Sequence, residues 1–267
     1  MWETTCAPVE SQNLLRKTCK HLLVPTKDSA QAFKHPRAHV VPLGASVVPL
    51  PLPNWIPFTF LYIGNNNVQL NRKKPDVIAE AFKLAFPTEA DVRLILKQSD
   101  MCSPIVNFDT RIAVIQEVLP PEKMEELYEK AHVVVNISGL EGWSYPLHDA
   151  IAHGRPVMTP LFGAVQAFCT KHNTWPVPYR EAIAPMAIYQ QAGKYAHVRV
   201  EGLSATMRTA YQERHATLLK AAEALKMATN FNIQTTQARL YEVLCQIGIC
   251  SRARGPHKAS LIINEAS

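Results

Sequence analysis

Between residues 58 and 159, short apolar runs alternate with amphipathic stretches, and that alternation leaves the chain few ways to fold. Phe58 to Ile63 (FTFLYI) is a continuous apolar run that stops at Gly64, the pattern of a parallel strand buried on both faces. Gly64-Asn-Asn-Asn reads as a turn. From Asp76 to Phe86, the residues Val77, Ile78, Ala81, Phe82 and Ala85 fall on one helical face. Val92 to Leu96 and Ile112 to Ile115 are two more apolar strands. Pro120-Pro121-Glu122 opens a helix with the buried stripe Met124, Leu127, Tyr128 and Ala131. Val133 to Ile137 (VVVNI) is a strand, Pro146 to His153 a helix ending at Gly154, and Pro156 to Thr159 a further strand. Strands alternating with helices form a mostly parallel sheet covered on both faces. The predicted fold class is α/β, doubly wound.

After Thr170 the pattern changes. Residues 171–200 are rich in Pro, Tyr and Ala with little periodicity, and are expected to wrap the surface. One long helix is predicted from about Ser204 to Lys226, with Leu218, Ala222 and Leu225 on one side. A last helix carries Leu240, Val243, Leu244 and Ile247 and ends near Gly248. The tail with Arg252, Arg254, His257 and Lys258 reads as a flexible, solvated basic segment.

Composition narrows the class. A chain of 267 residues buries a core without disulfide or metal staples. Its net charge of +6 suits an anionic ligand such as a phosphate ester, nucleic acid or acidic membrane surface, without choosing among them. The first residues have neither a basic nor an apolar signal region, and no apolar run reaches the roughly 18 residues of a membrane span. The longest candidate, Val47 to Ile63, is broken by Pro49, Pro51, Pro53 and Pro57. The six cysteines lack a Cys-x-x-Cys pair and read as reduced thiols. Cys169, His172, Cys245 and Cys250 are too irregularly spaced for a zinc site. The expected location is cytoplasmic.

A doubly wound sheet binds its ligand outside the carboxyl ends of its strands, and two such loops carry unusual chemistry. The first contains Asn71-Arg72-Lys73-Lys74, cations suited to a pyrophosphate, although most charge runs are simply solvated. The second is Ser138-Gly-Leu-Glu141-Gly142-Trp-Ser-Tyr-Pro146-Leu-His-Asp149. Gly142 permits close backbone approach, and Pro146 fits the first turn of a helix whose free N–H groups attract an anion. Glu141 and Asp149 could both accept hydrogen bonds from hydroxyls of one ligand, or serve only the helix dipole. His148 and His153 are not at metal spacing and read as packing or surface residues. Ser144 lies in a stretch like a nucleophile turn but without its pair of flanking glycines. Trp143 reads as packing against the loop.

The stretch EGWSYPLHDAIAHGRPVMTP resembles the sugar-nucleotide site of GT-B glycosyltransferases of the family 4 type, where two Glu separated by seven residues sit between a strand and a helix. FTFLYIGNNNVQLNRKKPDVIAEAF is similar to that family's opening strand, Gly turn, Arg-Lys pair and helix, and MEELYEKAHVVVNIS to the segment before the Glu motif. The likeness runs from near residue 1 to about 245.

The resemblance implies a Rossmann-like donor domain and a retaining transferase that takes a nucleotide-diphosphate sugar, a UDP- or GDP-sugar, without a required metal. Lys73, with Arg72 beside it, would bind the diphosphate and stabilise the leaving nucleotide. Glu141 would hydrogen-bond the transferred sugar, helped by backbone amides of Gly142 and Trp143 beside Ser144. Asp149 would hold the ribose. Gly64 and Asn65 would form the phosphate-side turn, and Ile115 to Glu117 would border the nucleobase.

Three departures stand out. Asp149 replaces the family's second Glu and is shorter by about 1.5 Å. Asn65 stands where many members place a basic residue. Most of the N-terminal acceptor domain has no counterpart. Residues 1–36 resemble only that domain's end and the linker, with the strand HLLVP left without an obvious sheet. Residues 37–228 form the donor domain and 229–267 a C-terminal helix and basic tail. A partner acceptor-domain chain or a homodimer would complete the cleft. A nucleic-acid acceptor, supported by Arg16, Lys17, Lys20 and the tail, is the less favoured alternative, since no recognition motif is visible. A non-catalytic sugar-nucleotide module is the third reading.

Overall fold

The computed structural model describes residues 9–65, 72–183 and 193–250. Asn66, Asn67, Asn71 and the basic tail lie outside the described residues. The central sheet has six strands: β3 (Phe58–Ile63), β4 (Val92–Gln98), β5 (Ile112–Gln116), β6 (Val133–Val135), β7 (Val157–Thr159) and β8 (Thr174–Pro176). They run parallel in the order β5-β4-β3-β6-β7-β8. The order reverses between β3 and β6, the switch point at which a Rossmann-like sheet opens a crevice.

Strand β3 shows why the sheet is covered twice. Phe58, Phe60 and Tyr62 enter one core with helix α3 (Pro75–Ala85) and helix α6 (Val200–Gln212). Leu61 and Ile63 enter the other, with helices α4 (Pro121–Lys130), α5 (Tyr145–Ala152) and α7 (Arg214–Ala228). Alternate residues of a strand point to opposite faces, so a run of six buried residues, five of them apolar or aromatic, needs two helical layers.

Five expectations are corrected. Residues 174–176 do not wrap the surface. Thr174 and Trp175 are buried as β8, whose three residues are too few to register as a period. Beyond it, β9 (Tyr179–Ile183) and β10 (Lys194–Val198) pair antiparallel. The long helix is two helices, broken at Glu213, whose ψ of 62° is not helical. The inward side of α7 is Thr217, Ala221, Ala224 and Ala228, while Leu218 is exposed. These small side chains let α7 lie close on α5, and a Cβ on Gly154, at φ +70°, would press on Leu225.

The fifth concerns HLLVP. Its strand β1 (Leu22–Val24) pairs in parallel with β2 (Ala38–Val40), giving a separate two-stranded sheet. Helix α1 (Val9–Thr18) precedes it, and α2 (Lys27–Phe33), capped by Thr26, packs on the turn Gly163–Ala167. The final helix α8 (Ile233–Gln246) buries only Val243 among its own residues and docks its start on residues 42–45. A Cβ on Gly44 would stand 2.5 Å from the Asn232 carbonyl oxygen, so this crossing needs glycine.

A fully buried arginine ties the linker down. Arg155 donates to the carbonyls of Tyr128 (2.7 Å), Leu50 (3.0 Å) and Pro51 (2.7 Å). Burial lowers its pKa to about 10, which leaves it charged at neutral pH.

Candidate functional site: a cationic cleft at the switch point

The loops after β3 and β6 face each other across the switch point. They bound a cleft of about 560 Å³. Gly64, Asn65, Arg72, Lys73, Glu141, Gly142, Trp143 and Ser144 line it, all predicted from the sequence; Pro25, Ile63, Lys97, Tyr145 and Pro146 join them. Ile115, Glu117 and Asp149 are not among its walls. Ile115 sits beside Lys97 on the neighbouring strand, and Asp149 lies one turn into α5.

Glu141 is the centre of the cleft. Its Oε2 meets Arg72 Nη1 at 3.1 Å, and its Oε1 accepts from Lys73 Nζ. All three side chains are nearly buried. Burial pushes the Glu141 carboxyl upward, but Lys73 and Arg72 outweigh it and hold the pKa below the usual carboxylate range. The glutamate is therefore ionised at neutral pH and paired with two cations.

The loop around it is built to stay put. Arg72 donates to the Leu140 carbonyl at 2.6 Å and to Ser138 Oγ at 3.3 Å. Ser138 N–H donates to Asn136 Oδ1 at 2.8 Å, and Asn136 Nδ2 donates to Ser144 Oγ at 3.0 Å. Ser144 has φ +71° and ψ 74°, a left-handed conformation that an L side chain seldom adopts. Lys74, at φ +48°, does the same before α3. Each of these two helices carries a proline in its first turn and, among the described residues, no side-chain cap. A helix start carries a positive dipole end that favours an anion.

Two cleft residues escaped the sequence reading. Lys97 is buried at the end of β4, beside Ile63, and donates to the Gln98 carbonyl at 3.3 Å. Burial lowers its pKa. A lysine inside the apolar run VRLILKQ was the available signal. Pro25 comes from the N-terminal segment, which no periodicity linked to this cleft. Asn65 is occupied differently from expectation: its Oδ1 accepts from Ser99 N–H at 2.8 Å, bracing the turn.

The side chains of Trp143 and His148 are packed inside. Trp143 is buried against Phe168, His148 and Phe231. His148 Nε2 bonds the Phe231 carbonyl at 3.2 Å, and burial lowers its pKa to about 4. Burial raises Asp149 to about 6. Among the described residues no three His, Cys, Asp or Glu cluster as metal ligands, and no helix is long and apolar enough to cross a membrane.

No protein-family model matches the sequence, and no curated protein matches it. Solved structures do. Anabaena HepE in complex with UDP and glucose aligns with a TM-score of 0.67 at 14% identity, over 88% of this chain and 65% of its own. TarM aligns at 0.68 and 10% identity, over 91% and 49%. The pneumococcal O-GlcNAc transferase GtfA, in complex with UDP and GlcNAc, aligns at 0.67 and 13% identity, over 92% and 51%. The chain thus spans about half to two thirds of the length of the structures it matches. At such identities the likeness establishes the fold: a Rossmann-like α/β unit of the GT-B type.

Proposed function

We propose that this chain is the donor-binding part of a nucleotide-sugar-dependent glycosyltransferase of the family 4 type, working with retention of configuration. The observation that carries this reading is the convergence of Lys73 and Arg72 on Glu141 at the switch-point crevice. Uncapped helix starts at Tyr145 and Pro75 flank them. Structures of the same fold hold UDP with glucose or GlcNAc.

The donor is a UDP- or GDP-sugar. Its diphosphate takes the position in front of Lys73, Arg72 and the α5 N-terminus, all of which favour an anion. Glu141 then trades part of its ion pairing for hydroxyls of the sugar, with the Gly142 and Trp143 amides alongside. As the glycosidic bond to phosphate breaks, negative charge grows on the nucleotide, and the two fixed cations stabilise it without reorganising. Asp149 holds the ribose from one turn into α5, and Ile115 to Glu117 border the base. The acceptor is presented by a surface beyond residues 37–228, either an acceptor-domain chain or a second copy.

The test is nucleoside diphosphate release from UDP-glucose and GDP-mannose. Glu141→Ala is expected to lower turnover roughly 100- to 1,000-fold, the scale seen when one transition-state contact is removed, while nucleotide binding through Lys73 survives. Undiminished turnover in Glu141→Ala would remove the site assignment.

A further inference from the structure

A second basic pocket lies on residues distinct from those of the cleft. It is about 560 Å³ and lies between the β9–β10 hairpin and the start of α6, lined by Tyr179, Arg180, His197, Arg199 and Glu201. Arg180 and His197 are cross-strand partners in register, so their side chains share one face of the hairpin. Arg199 follows directly and stands at the N-cap of α6, a helix of 13 residues whose first turn has no side-chain cap among the described residues.

Several positive groups meet there with little negative charge to balance them. Glu201 approaches Arg199 Nε at 3.7 Å, both side chains being largely exposed. Among the described residues Arg180 enters no ion pair. His197 is held below its ordinary pKa by burial and then by Lys74, Arg180 and Arg199, so three cations are near enough for their fields to converge on one ring. Like charges gathered this way repel, and an anion relieves that repulsion.

The pocket is also coupled to the cleft. Ala196 N–H donates to the Gly139 carbonyl at 3.2 Å, which docks the hairpin on the loop that carries Glu141. A Cβ on Gly139 would stand 2.4 Å from the Ala196 carbonyl oxygen and 2.5 Å from the Tyr195 ring, so glycine permits this approach. Lys74 lies 5.5 Å from the centroid of the Tyr195 ring, and Tyr195 Oη bonds His197 Nδ1 at 3.0 Å. Lys74, Tyr195, His197 and Arg180 thus form a continuous series of contacts from the cleft's first loop to this pocket.

We propose that this pocket binds a phosphate group carried by the acceptor. Its assignment to an acceptor rests on the glycosyl-transfer reading; its binding of phosphate does not. Guanidinium groups at Arg180 and Arg199 can each give two parallel hydrogen bonds to a phosphate, and Glu201 and Gly202 of the α6 first turn line the same space, where the helix dipole favours an anion.

The test titrates inorganic phosphate into the UDP-saturated protein and follows the His197 ring by proton–nitrogen NMR. Saturable His197 shifts are expected, and their apparent affinity should fall at least tenfold in the doubly substituted Arg180→Ala/Arg199→Ala protein. Both arginines are exposed, so the fold is expected to survive; the unperturbed core amide spectrum checks it. Absent shifts at His197, or shifts undiminished in the double variant, would overturn the proposal. Malonate binding in place of phosphate would overturn the phosphate class. The titration is repeated without UDP. Phosphate shifts at His197 in a protein that fails to bind UDP would uphold the pocket and sink the donor reading alone.

Discussion

Glu141 and Asp149 stand eight residues apart, yet the loop and the helix that carry them treat a carboxylate in opposite ways. In the loop, burial is overridden by Lys73 and Arg72, and Glu141 stays ionised. In the helix, burial raises Asp149 to about 6, and among the described residues no ion pair reaches it. The loop is a finished electrostatic unit that a ligand must enter. The helix holds an acid that burial makes harder to ionise and that no ion pair compensates among the described residues. Spacing alone makes the two acids look equivalent; their surroundings separate them.

The sharpest way to break that contrast is to neutralise each acid in turn. Glu141→Gln strips the buried cations of their partner and is expected to destabilise the protein by about 3 kcal/mol at pH 7, read by urea unfolding. Asp149→Asn should act in the opposite direction, stabilising it by at most about 3 kcal/mol at pH 7.5, because the carboxyl is raised from 3.8 to about 6 and one pKa unit is about 1.36 kcal/mol. Equal signs for the two substitutions would end the comparison.

The pH dependence carries the same signature. Asp149 binds its proton more tightly folded than unfolded, so its contribution favours the native state at low pH and declines as pH rises from 3.8 to about 6. Glu141 has a folded pKa below its unfolded value of 4.5; its contribution is present above 4.5 and is lost as pH falls through the folded value. Unfolding of the Asp149→Asn protein, followed from pH 7 to well below 4.5, should lack the first slope and keep the second. A slope unchanged by Asp149→Asn would contradict the assignment.

The smallest effect sharpens the loop's side. Ser144→Ala keeps the left-handed strain and loses the bond from Asn136, whereas Ser144→Gly loses the bond but relieves the strain. The glycine variant should therefore be the more stable of the two by about 1 kcal/mol. The reverse order in urea unfolding would mean that Ser144 is not strained.

The same division explains what could be read from the sequence. FTFLYI, VVVNI and the stripe of α3 encode burial directly, since their periods are set by the face they hide. Arg72, Lys73 and Glu141 were legible because glycines and prolines marked the turns that hold them. Lys97 was missed because it hides in a strand whose period it does not break. Strand β8 is too short to carry a pattern, and β9 is exposed along most of its length. Helix α7 has leucines on both its inner and outer sides, so hydrophobicity named the wrong face; close packing selected Ala221, Ala224 and Ala228 instead. Arg155 could not be anticipated, because its carbonyl partners come from two distant segments.

The central claim is that Lys73 and Arg72, held by Glu141, form a diphosphate site. Calorimetric titration of UDP, GDP, ADP and dTDP into the wild-type chain and its Lys73→Ala variant tests it most directly. Selective binding of UDP or GDP, weakened roughly 100-fold in Lys73→Ala, is the predicted result, consistent with about 3 kcal/mol for a charge-assisted phosphate contact. A folded chain that binds none of the four, or a Lys73→Ala protein that binds as tightly as wild type, would contradict it.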